Sequence, residues 1–220
     1  MSFTPEEIAA GQAIYTPGML NFYDLRVLWV SNRLIWKCPT PRLLAHYDRH
    51  VTANHLDVGV GSGYYLDKCR FPAAHPRLAL MDLNPNSLAF AARRIARYRP
   101  ETHILNVLEP ISFDGAPFDS VAVNYLLHCL PGDMAAKAIV FDHLAPLMAP
   151  GAVIFGSTLL QGGVERSAAA RWLMDYYNSD GVFSNTRDDL AALRRELERR
   201  FAEVSVEVVG CAALFSGRRA

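Results

Sequence analysis

Cysteine is scarce and scattered. The chain of 220 residues holds 4, at Cys38, Cys69, Cys129 and Cys211, and no two form a C-x-x-C pair. That spacing argues against a zinc site, a redox pair and the dense disulfide frame of a small secreted domain. Net charge is missing as well. Lys+Arg is 22 and Asp+Glu is 22, so no overall basic field draws the chain to nucleic acid. The arginine runs Arg93, Arg94, Arg97 and Arg194, Arg195, Arg199, Arg200 fall on predicted helices and read as solvated faces. No uncharged apolar run reaches the length of a membrane span. The amino-terminal Pro5-Glu6-Glu7 sets no basic stretch ahead of an apolar one. Internal repeats, low-complexity tracts and an evident linker are lacking too. What is present is 51% hydrophobic and 20% charged, enough to bury a real core. One domain over residues 1–220 in a reducing cytoplasm is the expectation.

Residues 1–52 read as a helical cap. Thr4-Pro5-Glu6-Glu7 is a capping box with proline at the first helical position, and Tyr15 to Gly18 breaks that helix. Leu20, Tyr23, Val27, Val30 and Leu34 then recur at three- and four-residue steps, marking an amphipathic helix. Thr40 caps a third, with Leu43, Leu44 and Tyr47 on one face. From residue 53 onward the chain alternates. Apolar runs at Leu56 to Val58, Arg77 to Asp82, Thr102 to Leu105, Phe118 to Val123 and Ala152 to Ser157 predict strands. Helical segments separate several of them, one opening at Asn84-Pro85 and one spanning Met134 to Leu147. This order predicts an α/β, doubly wound, mostly parallel sheet. A helical insertion occupies 160–186, with its helix at about Glu165 to Tyr177, and Thr186 caps the next helix. The last two β-like runs, Glu203 to Val209 and Ala212 to Phe215, stand too close for a parallel crossover and must form an antiparallel hairpin.

The stretch around which this order turns is Asp57-Val58-Gly59-Val60-Gly61-Ser62-Gly63. Glycines at a strand-to-helix turn remove the Cβ atoms that hold a ligand off the backbone, and they permit positive φ. About 20 residues later the second strand ends in Asp82, where an acid can accept hydrogen bonds from a ribose diol. The two features together point to a nucleoside-containing cofactor. Dinucleotide turns carry G-x-G-x-x-G and receive a pyrophosphate. Here an acid precedes the glycines, which repels a pyrophosphate and suits a ligand bearing positive charge.

The Asp57-x-Gly59-x-Gly61-x-Gly63 pattern resembles motif I of the class I S-adenosylmethionine-dependent methyltransferases. Further matches are Phe118-Asp119-Ser120-Val121, Leu126-Leu127-His128-Cys129-Leu130-Pro131, and Leu144 through Gly151 before the fifth strand. The resemblance runs roughly from Ala53 to the C-terminus. It implies a seven-stranded Rossmann-like sheet closed by the antiparallel hairpin, with S-adenosyl-L-methionine as cofactor. Asp57 would hold the methionyl amino end, Gly59, Gly61 and Gly63 would pack under the cofactor, and Asp82 would take the ribose. Asn106 and Val107 fall beside adenine, with Asn in place of a commoner Asp, while Leu83 reads equally as adenine wall or core. Asn124, at the end of the fourth strand, joins the cofactor side, and Tyr15 and Tyr23 would close over it.

The implied activity is in-line methyl transfer to oxygen or nitrogen of a small, aromatic or apolar acceptor, with no metal. His128 follows the fourth strand and is the candidate general base, with a lining or structural role as its alternative. Trp36, Tyr125, Trp172 and Tyr176, with His128, are candidate walls of the acceptor site. A second reading keeps fold and cofactor but gives a different reaction or a binding module. A nicotinamide-dependent oxidoreductase rests only on general Gly-rich similarity. The expected partner is a small molecule, with no nucleic acid and no membrane. The oligomeric state stays open between monomer and homodimer.

Overall fold

The computed structural model describes residues 24–220, with side chains from Val30 onward. The Thr4 capping box, Tyr15 and Tyr23 lie outside the described residues. Among the described residues two helices precede the sheet. The first, α1 (Asp24–Ile35), is wound more widely than an α-helix, and just past its end Trp36 N donates to Ser31 O at 2.8 Å. The second, α2 (Thr40–His50), begins behind Pro39. Thr40 sits inside its first turn, where it accepts a 3.2 Å bond from Asn32 Nδ2 rather than capping the helix.

Strand β1 (Asn54–Val58) follows, then the glycine turn, α3 (Tyr64–Lys68), β2 (Arg77–Asp82), α4 (Pro85–Arg94), β3 (Glu101–Ile104) and β4 (Phe118–Asn124). The helix expected over Met134 to Leu147 is broken. It is interrupted at Ala138, giving α5 (Met134–Lys137) and α6 (Ile139–Leu144), and it closes in a 3-10 turn at Ala145–Leu147, because Pro146 cannot donate within a helix and crowds the turn before it. Next come β5 (Met148–Leu159), α7 (Ala168–Ser179), α8 (Leu190–Glu198), β6 (Ala202–Val209) and β7 (Ala212–Arg218). Ser167 caps α7 by accepting from Ala170 N, so this helix starts and ends later than its sequence suggested. Asp189, not Thr186, caps α8, accepting from Ala192 N at 2.8 Å. A charged acceptor is the stronger cap where both types lie nearby.

The strands form one seven-stranded sheet in the order β3-β2-β1-β4-β5-β7-β6. β7 alone runs against its neighbours, pairing antiparallel with β5 and β6, so the terminal hairpin is present. Chain direction across the sheet reverses at β1, which pairs parallel with β2 on one side and β4 on the other. The crevice outside the carboxyl ends of β1 and β4 is therefore the topological switch point, where such sheets bind ligands.

Side-chain alternation decides what lies on each face. Leu56 and Val58 of β1, with Ala79, Met81, Val121, Val123 and Ile154, pack against α5, α6 and α8. Leu78, Leu80, Ala122 and Phe155 point the other way, toward Tyr47 of α2 and Leu88 and Ala91 of α4. A leucine or phenylalanine buried as these are contributes about 1.5–3 kcal/mol. His55 and Asp57 alternate with Leu56 and Val58, so they share the face covered by α2.

Candidate active site

The glycine turn lies in the switch-point crevice. Gly59, Gly61 and Gly63 all have positive φ, at 73°, 52° and 69°. A Cβ on Gly63 would stand 2.9 Å from Ala91 Cβ, so a bare residue is required for α4 to pack against the turn. Among the described residues, a Cβ on Gly61 would meet nothing within 4 Å. That crest is open and flanks the cleft lined by Asp57, residues Gly59 through Leu66, Asn124 and Tyr125.

Asp57 is 6% exposed and accepts a 2.6 Å bond from the Tyr47 hydroxyl through Oδ2. Asp82 accepts from Asn84 N at 2.8 Å through Oδ1, and from the amides of Gly61 and Val60. Burial pushes its carboxyl up to about 6, while those amides pull the other way. The acid at the tip of β2 therefore also steadies the crest of the glycine turn. Leu83 is half-buried beside it.

At the tip of β4, Asn124 Oδ1 accepts from Ser157 Oγ at 3.0 Å. Its Nδ2 is buried and has no acceptor among the described residues, although Asn124 lines the cleft. A buried donor without a partner is costly, which makes it a natural match for a ligand acceptor. Tyr125 follows with φ 53°, an uncommon conformation for a bulky residue. Its N–H donates to Ser157 O at 2.7 Å, and its hydroxyl to Asn32 Oδ1 at 3.0 Å. The tip of β4 is thereby tied to α1. Asn106 uses its side chain within its own turn, accepting from Leu108 N and donating to Glu109. Val107 is buried in the core, and its carbonyl oxygen lies 2.9 Å from His143 Nδ1.

His128 is placed away from open solvent, in the setting of its alternative, structural role. It is 3% exposed, its Nδ1 accepts from Leu159 N at 3.3 Å, and its ring lies edge-on to Phe183 at 4.6 Å. Burial, reinforced by Lys137, pushes its pKa down to about 3. With Nδ1 accepting, the single proton of the neutral ring sits on Nε2. Such a ring presents an Nε2–H donor, which suits a lining or structural role better than that of a general base.

Of the expected acceptor walls, only Tyr125 lines the cleft. Trp36 is 2% exposed and packs with Cys38, Leu43 and Phe183 as core. Trp172 and Tyr176 stack on each other on α7 but are 69% and 50% exposed, an outward face and no enclosed wall. Tyr47, whose hydroxyl holds Asp57 from beneath the cleft, was missed. Tyr47 read as helix packing, and the only signal in the sequence was that His55 and Asp57 stand two apart on one strand. Among the described residues no helix is long and apolar enough to cross a membrane.

Comparison with known proteins agrees with this geometry. A family described as "Methyltransferase domain" matches residues 56–154. Demethylluteothin O-methyltransferase of Streptomyces thioluteus is 42% identical over 210 residues, covering 96% of this chain and 91% of that protein. The Physcion biosynthesis cluster O-methyltransferase of Aspergillus chevalieri is 37% identical over 218 residues, covering 98% of this chain and 97% of that one. Among solved structures, a DhpI complex with S-adenosylhomocysteine superposes with a TM-score of 0.70 at 17% identity, over 99% of this chain and 98% of that one.

Proposed function

Because the chain belongs to the class I S-adenosylmethionine-dependent methyltransferases, we propose that it methylates a hydroxyl of a small planar metabolite. The oxygen is favoured by relatives named as O-methyltransferases across nearly their whole length. The observation that carries the site is the cleft itself: a carboxylate, a glycine crest and an amide donor that is unpaired among the described residues meet at the switch point. A nucleoside bearing an amino acid fits that donor set.

Asp57 holds the ammonium through the oxygen that Tyr47 leaves free. Asn124 Nδ2 donates to the amino acid's carboxylate, and Asp82 accepts from the ribose hydroxyls. Gly59, Gly61 and Gly63 let the backbone approach, and Leu83, Asn106 and Val107 border the base. Tyr15 and Tyr23 are the sequence's candidates for the cover, and Tyr125 borders the acceptor. S-adenosylmethionine held there would supply a sulfonium-bound methyl group for in-line transfer to the acceptor oxygen, with S-adenosylhomocysteine as the leaving thioether. The chain's task is alignment and exclusion of water. With His128 serving as a donor, no side-chain base is assigned. A phenol ionises only at about pH 10, so the ionised fraction would enter the cleft with its proton already left in bulk water.

Residues 1–220 act as one domain in this reading. The free, buried thiols of Cys38, Cys69 and Cys211 support a reducing, cytoplasmic setting. Turnover tests the assignment. Purified protein given S-adenosylmethionine and a panel of planar phenols, enols and amines should release S-adenosylhomocysteine with the hydroxylated compounds. Release with amines alone would move the acceptor to nitrogen. Tight cofactor binding without any release would favour a different reaction on the same fold.

A further inference from the structure

Beneath the glycine turn, on the face of β1 that α2 covers, runs a buried chain of hydrogen bonds aimed at Asp57. The carboxylate can only accept, so the Tyr47 hydroxyl donates to its Oδ2 at 2.6 Å. That uses the only proton the phenol has. Tyr47 must then accept at 2.8 Å from His55 Nε2–H. His55 in turn accepts through Nδ1 from Ser120 Oγ at 2.8 Å, and Ser120 Oγ accepts from Thr52 N at 3.0 Å. The sheet register explains the meeting, since Ser120 is the β4 partner of His55. His55 Nε2 itself stands 3.8 Å from Asp57 Oδ2, too far to bond directly, so the hydroxyl is the bridge.

Two consequences follow for Asp57. Its rotation is fixed from the buried side, leaving Oδ1 for the cleft that the residue lines. Its charge is not cancelled, because the donor is a neutral phenol. Among the described residues no lysine or arginine pairs with Asp57. A guanidinium in Tyr47's place would orient the carboxylate and neutralise it together. A hydroxyl orients it and keeps the negative charge available to a cationic ligand group.

We propose that Tyr47 is a positioning residue for the cofactor's amino-acid end, which makes α2 part of the cofactor site. This rests on the reading of Asp57 given above. Tyr47 is also core, stacked on Tyr65 at 5.7 Å and edge-on to Phe155 at 5.2 Å. Both ring contacts survive in Tyr47→Phe, which removes the hydroxyl alone.

The test compares two ligands that share the nucleoside half. S-adenosylhomocysteine carries the amino-acid end; 5′-methylthioadenosine lacks it. Calorimetric titration of Tyr47→Phe should show S-adenosylhomocysteine weakened about tenfold, the scale of a hydrogen bond to a charged group, with 5′-methylthioadenosine unchanged. Asp57→Asn should show the same pattern. Unaltered S-adenosylhomocysteine affinity in Tyr47→Phe, beside a weakened Asp57→Asn, overturns the proposal and leaves the reading of Asp57 standing. Equal loss of both ligands in Tyr47→Phe also overturns it, since that is the mark of general loosening. If Asp57→Asn binds both ligands like the wild type, the reading of Asp57 falls and takes the proposal with it.

Discussion

Gly61 and Gly63 stand two residues apart in one turn, yet their substitution should fail in different ways. Both have positive φ, which strains any Cβ-bearing residue. At Gly63 the added carbon also strikes Ala91 of α4 at 2.9 Å, and this contact is backbone-close and cannot rotate away. Gly63→Ala should therefore cost about 2 kcal/mol or more in folding free energy, read by thermal or urea unfolding. At Gly61 the carbon enters open space, so the folding cost of Gly61→Ala is only the strain, about 1 kcal/mol. Its effect falls on the ligand, and S-adenosylhomocysteine affinity should drop at least tenfold. If Gly61→Ala bound normally, the crest would not be where the cofactor lies. The glycines, Asp57 and Asp82 were legible in the sequence because their suitability depends on residue type and spacing alone. Tyr47 and Ser120 were not, because their meeting with His55 and Asp57 depends on the β1–β4 register and on how α2 crosses the sheet. The chemistry of His128 was equally hidden, since the Leu159 amide of another strand fixes which ring nitrogen holds the proton.

Elements of the sheet were read from alternation and spacing, and the five strands and the antiparallel hairpin are present in one seven-stranded sheet. Helix limits were less legible where a better cap lay a few residues away, as at Asp189, or where proline cut a periodic run, as at Pro146. The junction of α5 with the segment before α8 had no signature at all. It is held by Lys137 Nζ, which donates to Asp188 Oδ2 and to the Ser184 carbonyl, each at 2.6 Å. Both charged side chains are fully buried. Burial pushes the Asp188 carboxyl up to about 6 even with Lys137 opposing it. Such a pair adds little net stability, but a lone survivor is expensive. Lys137→Met strands the carboxylate and should lose about 3–5 kcal/mol, whereas Lys137→Met with Asp188→Leu should recover most of that loss. The same segment ties to the tip of β4 through Ser184 N on His128 O, so the single variant should also disturb the acceptor side. Urea unfolding of the single and double variants checks this. A Lys137→Met variant as stable as wild type would show that water or a rearranged loop reaches Asp188.

Across the whole molecule, two sets of buried groups respond to acid with opposite sign. Burial lowers His46, takes His50 to about 4 and takes His128 to about 3. The unfolded chain then binds protons first, so their contribution is full above the ordinary 6.5 and is lost as pH falls from there toward 4. Asp82 and Asp188 are raised from 3.8 to about 6, so the native state holds the extra proton and stability falls as pH rises through that window. The two sets oppose each other between 4 and 6, and the folding curve there should be shallow. Cofactor affinity has no such compensation. If Asp82 holds the ribose as proposed, only its ionised form accepts from both hydroxyls, and S-adenosylhomocysteine affinity should be flat above about pH 7 and fall by up to about tenfold per unit below the carboxyl's value of about 6. Asp82→Asn should bind weakly at every pH, with no slope. Its melting temperature at neutral pH should match or exceed that of the wild type, because the burial penalty on the charge disappears. Calorimetric titrations from about pH 8 to about pH 5, paired with thermal unfolding at the same points, read both effects. A wild-type affinity that stays constant down to about pH 5 would mean that the ribose is held by another group, with Asp82 serving the glycine turn alone.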